Sequence, residues 1–237
     1  MNFFFYFKSI KFHHYKFKTI LLNILSNGGY LVAPAASALV NITKDKLYYD
    51  SLKKADVAIL DSGFFCILLK LLNKIRVKKM SGYFFLKNFI SSPEIKKCKI
   101  LTIDPDKDNS KANTCFLYRN NLRKHKSYIS PFYKKNLIQD FSLLRIINTY
   151  KPNIILINIG GGKQEILANF IIRKIKFKTT VLCLGAAIGF LTKKQANITP
   201  IHDKYYLGWF KRICHHPKFI IRVFLSLRLI SFFKIKF

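Results

Sequence analysis

Along the chain, unbroken apolar runs alternate with segments whose apolar positions recur every three or four residues, and the two patterns take turns almost throughout. Continuous apolar runs at residues 30–32, 55–60 (ADVAIL), 99–103 (KILTI), 153–159 (NIILINI) and 179–184 (TTVLCL) predict strands buried on both faces. Helical periodicity predicts helices over 36–54, 64–73, 138–150 and 164–175. The charge-free stretch 19–43 is interrupted by Asn23, Asn27, Gly28, Gly29 and Pro34. It therefore reads as helix, turn and strand, because a membrane-spanning helix needs ~20 predominantly apolar residues. Residues 104–113 (DPDKDNSKAN) are polar and expected to form a loop; their three Asp suggest part of a calcium loop, but the Gly and terminal Glu at the required spacing are missing. Residues 1–18 mix Phe and Tyr with Lys and His and lack the features of a signal peptide, so export is not indicated. Apolar strands separated by helices predict an α/β fold, a mostly parallel sheet covered by helices on both faces.

In such sheets ligands sit beyond the carboxyl ends of the strands. That rule places Asp61, the turn Gly160-Gly161-Gly162-Lys163-Gln164-Glu165 and the segment from Gly185 to Ala187 on one rim. Three glycines let a ligand approach the backbone closely, and the helix that follows offers unpaired amides and a positive dipole end to a phosphate. Lys163 adds a cation there. The turn is neither a P-loop nor GxGxxG, and a plain tight connection is the bland alternative. Asp61, in Asp61-Ser62-Gly63, is placed to act as a general base or to hold a sugar hydroxyl; capping the helix that starts at Phe64 is the competing local reading.

The tail, residues 219–233 (FIIRVFLSLRLISFF), is strongly apolar, while Lys218, Arg222 and Ser226 recur every four residues on one helix face. Lys211, Arg212, Arg228, Lys234 and Lys236 lie nearby. This composition predicts a basic amphipathic helix lying in a membrane interface; a core helix would have to bury two arginines. The whole chain, 237 residues with a net charge of +31, is suited to an anionic membrane surface. Its cations are 34 Lys and only 8 Arg, which an AT-rich coding sequence would also produce, and the scarcity of Arg argues against nucleic acid. Five cysteines, at 66, 98, 115, 183 and 214, are odd in number and too far apart for a metal knuckle, so the reducing cytosolic side is expected. His202, His215 and His216 lack zinc-site spacing.

Taken in order, these pieces resemble the bacterial WecG/TagA/CpsF glycosyltransferases over roughly residues 31–222. Gly160-Gly161-Gly162-Lys163-Gln164-Glu165 is similar to the family's G-x-P/G-x-Q-E, and Gly185-Ala186-Ala187-Ile188-Gly189-Phe190 to its G-A-A-x-x-F. Residues 206–212 (YLGWFKR) look like L-E/G-W-x-x-R, and Pro217 with Arg222 matches P-x-x-x-x-R. The resemblance implies a Rossmann-like core (residues 1–198) with a C-terminal membrane-associating appendage (199–237). It implies inverting, metal-independent transfer of an N-acetylmannosamine-type or related hexose from a nucleotide-diphosphate donor, UDP-linked, to a polyprenyl-diphosphate-linked acceptor. Such chemistry belongs to cell-surface polysaccharide assembly at the cytoplasmic face of the membrane, with no cofactor.

By the same resemblance Asp61 is the general base, Gln164 contacts donor or acceptor, Glu165 fixes the loop, and Arg212 and Arg222 stabilise the leaving diphosphate. Several positions depart from the family pattern. Ala33-Pro34-Ala35 stands where many members have T-P-N, Lys79 replaces an Arg ahead of Gly82, and Phe84 replaces an acidic residue. Lys79 keeps the charge and loses the bidentate fork. These departures point either to a different donor or to a non-catalytic, membrane-surface protein that binds a nucleotide sugar or serves as a scaffold.

Overall fold

The computed structural model of the chain describes residues 2–134, 138–185, 187–194, 213–214 and 217–233. Its frame is one eight-stranded sheet in the order β1-β2-β4-β3-β8-β7-β5-β6. The strands are β1 (Phe3–Phe7), β2 (Ile10–His14), β3 (Gly29–Val32), β4 (Val57–Ala58), β5 (Ile100–Asp104), β6 (His125–Ile129), β7 (Ile154–Ile157) and β8 (Thr180–Cys183). Every pairing is parallel except β1 with β2. The expected Rossmann-like α/β architecture is thus the observed one.

Alternation along the strands sorts the apolar side chains into two layers. Tyr30, Val32, Ala58, Leu101, Ile103, Ile155, Ile157, Val181 and Cys183 face one side. There they pack under α2 (Ala36–Leu39), α3 (Lys46–Lys53), α4 (Gly63–Leu72), α7 (Phe141–Tyr150) and α8 (Lys163–Lys174). Leu31, Val57, Ile100, Ile154, Leu156 and Leu182 face the other, under α1 (Phe17–Asn27), α5 (Gly82–Ser91), α6 (Lys107–Arg119) and α9 (Ala187–Leu191). The helix after β7 and the helix after β8 lie on opposite faces, the arrangement in which ligands of such sheets bind at the carboxyl ends of neighbouring strands.

Several expectations are corrected. The helix expected over 36–54 is broken: α2 runs into a 3-10 turn (Val40–Thr43), and α3 starts afresh where the Asp45 carboxylate accepts the Tyr48 amide proton at 3.0 Å. The strand expected over 55–60 contracts to Val57–Ala58. The polar segment 104–113 enters helix α6, capped by Asp106 on the Asn109 amide (2.8 Å). This helix turns polar side chains inward: Asn113 donates to the buried Asp104 at 2.7 Å, and Thr102 and Asn158 donate to the same carboxylate. Residues 3–14, for which no element was expected, form the β1–β2 hairpin.

Most of the described carboxylates accept hydrogen bonds from amides or hydroxyls, and three of them, Asp104, Asp140 and Glu165, are buried. Asp45, Asp106 and Asp140 cap helices, Asp56 takes the Tyr30 amide at 2.8 Å, and Asp104 and Glu165 are buried. Lys53 and Asp50 form an exposed ion pair at 3.2 Å.

The tail is a 3-10 turn (Pro217–Phe219), helix α10 (Ile220–Leu227) and a second 3-10 turn (Arg228–Phe232). It packs against α2. Leu229 and Phe233 are its anchors, both buried, with the Phe233 ring 5.1 Å from Phe7 and 6.2 Å from Phe65. No residue of α10 is buried, Arg222 and, in the turn after it, Arg228 are exposed, and α10 is not a core helix.

Candidate functional site

Asp61 follows β4, at the carboxyl end of the sheet. The backbone there is fixed by Ile59 N–H to the Val32 carbonyl (2.9 Å) and Met80 N–H to the Leu60 carbonyl (2.9 Å). Its neighbour Ser62, not Asp61, caps α4, accepting the Phe65 amide proton at 3.2 Å. The capping alternative for Asp61 is therefore set aside. Asp61 instead reaches across to α5, where its Oδ1 accepts the Gly82 amide proton at 2.8 Å. That arrangement points a carboxylate at a helix amino end, where an anion is favoured.

Gly82, marked in the sequence only as the glycine that follows Lys79, makes the approach possible. A Cβ there would lie 3.0 Å from the Leu184 carbonyl oxygen, 3.5 Å from Leu184 Cβ and 3.6 Å from Ala33 Cβ. Only a bare Cα lets α5 start between the ends of β3 and β8. The one local clue was Ser81 ahead of an apolar helix, and Ser81 does cap it, accepting the Phe84 amide proton at 3.0 Å. Lys79 is half-buried on the same approach. Burial pushes the Cys66 thiol up to about 12; the Lys79 cation opposes that shift and the Asp61 carboxylate adds to it, so both charges lie near Cys66.

The triglycine turn leads from β7 into α8. Gly160 and Gly161 are exposed, are not among the glycines of positive φ and would meet nothing within 4 Å if given a Cβ. Gly162 differs: its φ of 89° is one that L side chains rarely adopt, and its amide donates to Glu165 Oε2 at 2.7 Å. This is the half of a capping box that a glycine allows. Lys163 extends its ammonium over the Phe132 ring, 4.0 Å from the centroid. Phe132 is 88% exposed and no sequence pattern marked it.

Gln164 and Glu165 are each 2% exposed. Gln164 Nε2 donates to Glu165 Oε1 (2.9 Å), and Gln164 Oε1 accepts the Gly185 amide proton (3.1 Å). Gln164 thus ties the β7 turn to the β8 turn, where Gly185 has a φ of 62°. Burial pushes the Glu165 carboxyl above the usual carboxylate range, against the pull of the bonds from Gln164 and Gly162.

The rim residues therefore form a connected series. Asp61 holds Gly82, Gly82 packs on Leu184, and the adjoining Gly185 is held by Gln164 beneath the open backbone of Gly160 and Gly161. Arg222 projects from α10, exposed and hydrogen-bonded along its helix by Ser226 Oγ on its carbonyl (2.8 Å). Ala186 and Arg212 lie outside the described residues. No described helix is long and apolar enough to cross a membrane. A carboxylate oriented at a helix amino end can take a proton from a hydroxyl, and bare backbone followed by a second helix amino end, further along the same rim, can hold a diphosphate.

The profile of the glycosyl transferase WecG/TagA/CpsF family matches residues 6–235, nearly the whole chain. No curated protein matches it.

Proposed function

The chain belongs to the WecG/TagA/CpsF family of glycosyl transferases, and on that footing we propose that it moves a hexose of N-acetylmannosamine type from a UDP-linked donor to a polyprenyl-diphosphate-linked acceptor, with inversion. The observation that carries this reading is the position of Asp61, fixed by the Gly82 amide, on the same strand-end rim as the exposed Gly160 and Gly161. The acceptor hydroxyl attacks the anomeric carbon from the face opposite the leaving group. Its proton passes to the Asp61 carboxylate as the new glycosidic bond forms. The bond from the anomeric carbon to the diphosphate breaks, and the departing charge falls to Lys163, the α8 amino end and the arginines of the tail. These cations replace a metal. Phe132 offers an exposed aromatic face on which the donor's base stacks beside Lys163.

The acceptor's lipid sets the location. Ile221 (59% exposed) and Phe224 (63% exposed), with Ile220, Leu225 and Leu227, form an apolar strip on α10 flanked by Lys218, Arg222 and Arg228. Such a helix lies in the headgroup region of an anionic membrane surface, at the cytoplasmic face where nucleotide sugars are supplied. The test is transfer from UDP-sugars to a lipid-linked acceptor. Asp61→Asn is expected to lower the rate by ~10²–10⁴-fold with an unchanged thermal midpoint. A fully active Asp61→Asn enzyme refutes the assignment.

A further inference from the structure

Outside the rim, a groove of about 440 Å³ is lined by Lys8, Ile42, Thr43, Lys44, Lys46 and Tyr49. Its volume falls within the range of small-ligand sites, about 300–1,000 Å³. The groove is not part of the strand-end rim. Strand β2 runs parallel to β4, so the Lys8-Ser9 turn that precedes β2 lies at the end of the sheet opposite Asp61.

Two segments far apart in sequence bring three cations together here. Lys8 comes from the hairpin turn, and Lys44 and Lys46 flank the start of α3. All three are exposed. Asp45, between the last two, directs its Oδ1 to the Tyr48 amide at 3.0 Å. Buried Ile42 and half-buried Tyr49 supply apolar surface, and Thr43 a hydroxyl. The turn is held in an unusual shape: Lys8 and Ser9 have φ of 47° and 59°, and Tyr49 Oη donates to the Lys8 carbonyl at 2.9 Å. Lys8 Nζ also lies 5.7 Å from the centre of the Phe232 ring, in the last turn of the tail. The groove and the apolar tail are therefore contiguous.

We propose that this groove seats the headgroup of an anionic phospholipid. Lys8, Lys44 and Lys46 surround the phosphate, Thr43 donates to one of its oxygens, and the acyl chains leave along the exposed side of α10. The assignment rests on the reading of α10 as a membrane-lying helix. It adds a site with a defined stereochemistry to what would otherwise be diffuse attraction.

The test compares two variants of equal net charge by sedimentation with phosphatidylglycerol–phosphatidylcholine vesicles. One carries Lys8→Gln, Lys44→Gln and Lys46→Gln; the other carries Lys97→Gln, Lys124→Gln and Lys176→Gln, exposed lysines on other parts of the surface. Thermal midpoints of both are measured to confirm folding. The groove variant is expected to lose at least tenfold in apparent affinity, and the control no more than two- to threefold. Equal losses overturn the groove while leaving the membrane reading intact. Failure of the unmodified protein to sediment overturns the membrane reading and the groove with it. Glycerol phosphate supplies the other arm: if it raises the thermal midpoint of the unmodified protein and of the control but not of the groove variant, while both variants sediment equally, the groove binds a soluble phosphate ester and the lipid assignment falls.

Discussion

Replacing Gly160 or Gly161 by Ala separates folding from binding at the rim. Neither glycine has a positive φ, and a Cβ at either would meet nothing within 4 Å. Folding should therefore gain, because Ala restricts the unfolded chain: about 0.4–1 kcal/mol for a substitution compatible with the native backbone. In a chain of this length that corresponds to a rise in midpoint of roughly 1–4 °C. Binding should respond in the opposite sense. A diphosphate resting against this backbone is displaced by the added methyl, and losing a hydrogen bond to a charged group costs about 1.5–3 kcal/mol. The affinity for UDP should thus fall roughly 10- to 150-fold. Calorimetric titration with UDP alongside thermal unfolding measures both quantities on the same sample. Higher midpoints with unchanged UDP affinity would refute the placement of the diphosphate over the turn.

Gly82→Ala should behave differently. Its Cβ would press on the Leu184 carbonyl at 3.0 Å, a backbone atom with little room to yield. A destabilisation of about 1–3 kcal/mol is expected from overpacking, with a fall in transferase rate as the Gly82 amide withdraws from Asp61; a stable, active variant would contradict the packing described. Glu165→Gln leaves one acceptor oxygen for two donors, Gly162 N–H and Gln164 Nε2, and should cost about 1–3 kcal/mol near neutral pH. Because the folded carboxyl is raised, the folded state keeps its proton longer than the unfolded chain. Stability from this group is complete below the unfolded value, about 4.5, and is lost as pH rises toward the folded one. Denaturation midpoints taken from pH 4 to 8 should show that slope in the unmodified protein and not in the Gln variant. Phe224→Glu, at an exposed position, should leave the midpoint within about 0.5 kcal/mol of unfolding free energy and weaken vesicle sedimentation at least tenfold, given about 1.5–3 kcal/mol for burying a Phe.

Much of the architecture was legible because parallel strands buried on both faces are written as unbroken apolar runs. The segments 153–159 and 179–184 located β7 and β8, and the glycines after them located the rim. Helix α6 was hidden for a physical reason: its inward side carries Asn113, whose partner is a buried carboxylate, so hydrophobic periodicity had nothing to report. The β1–β2 hairpin was hidden because its turn is Lys8-Ser9, held open by Tyr49 from another part of the chain, rather than an Asn-Gly pair that announces itself locally. At the rim, Asp61 was visible as a lone carboxylate after a strand. Its dependence on Gly82 was not, since that contact needs the ends of β3 and β8 to be neighbours.

The burial of Asp104, Asp140 and Glu165 has a consequence for ionic strength. With these three buried, few acids remain on the outside to offset a net charge of +31, and the folded molecule strains against its own repulsion. Potassium chloride, by shortening the reach of that repulsion to about 8 Å at 0.15 M, should make the protein harder to unfold and at the same time easier to strip from lipid.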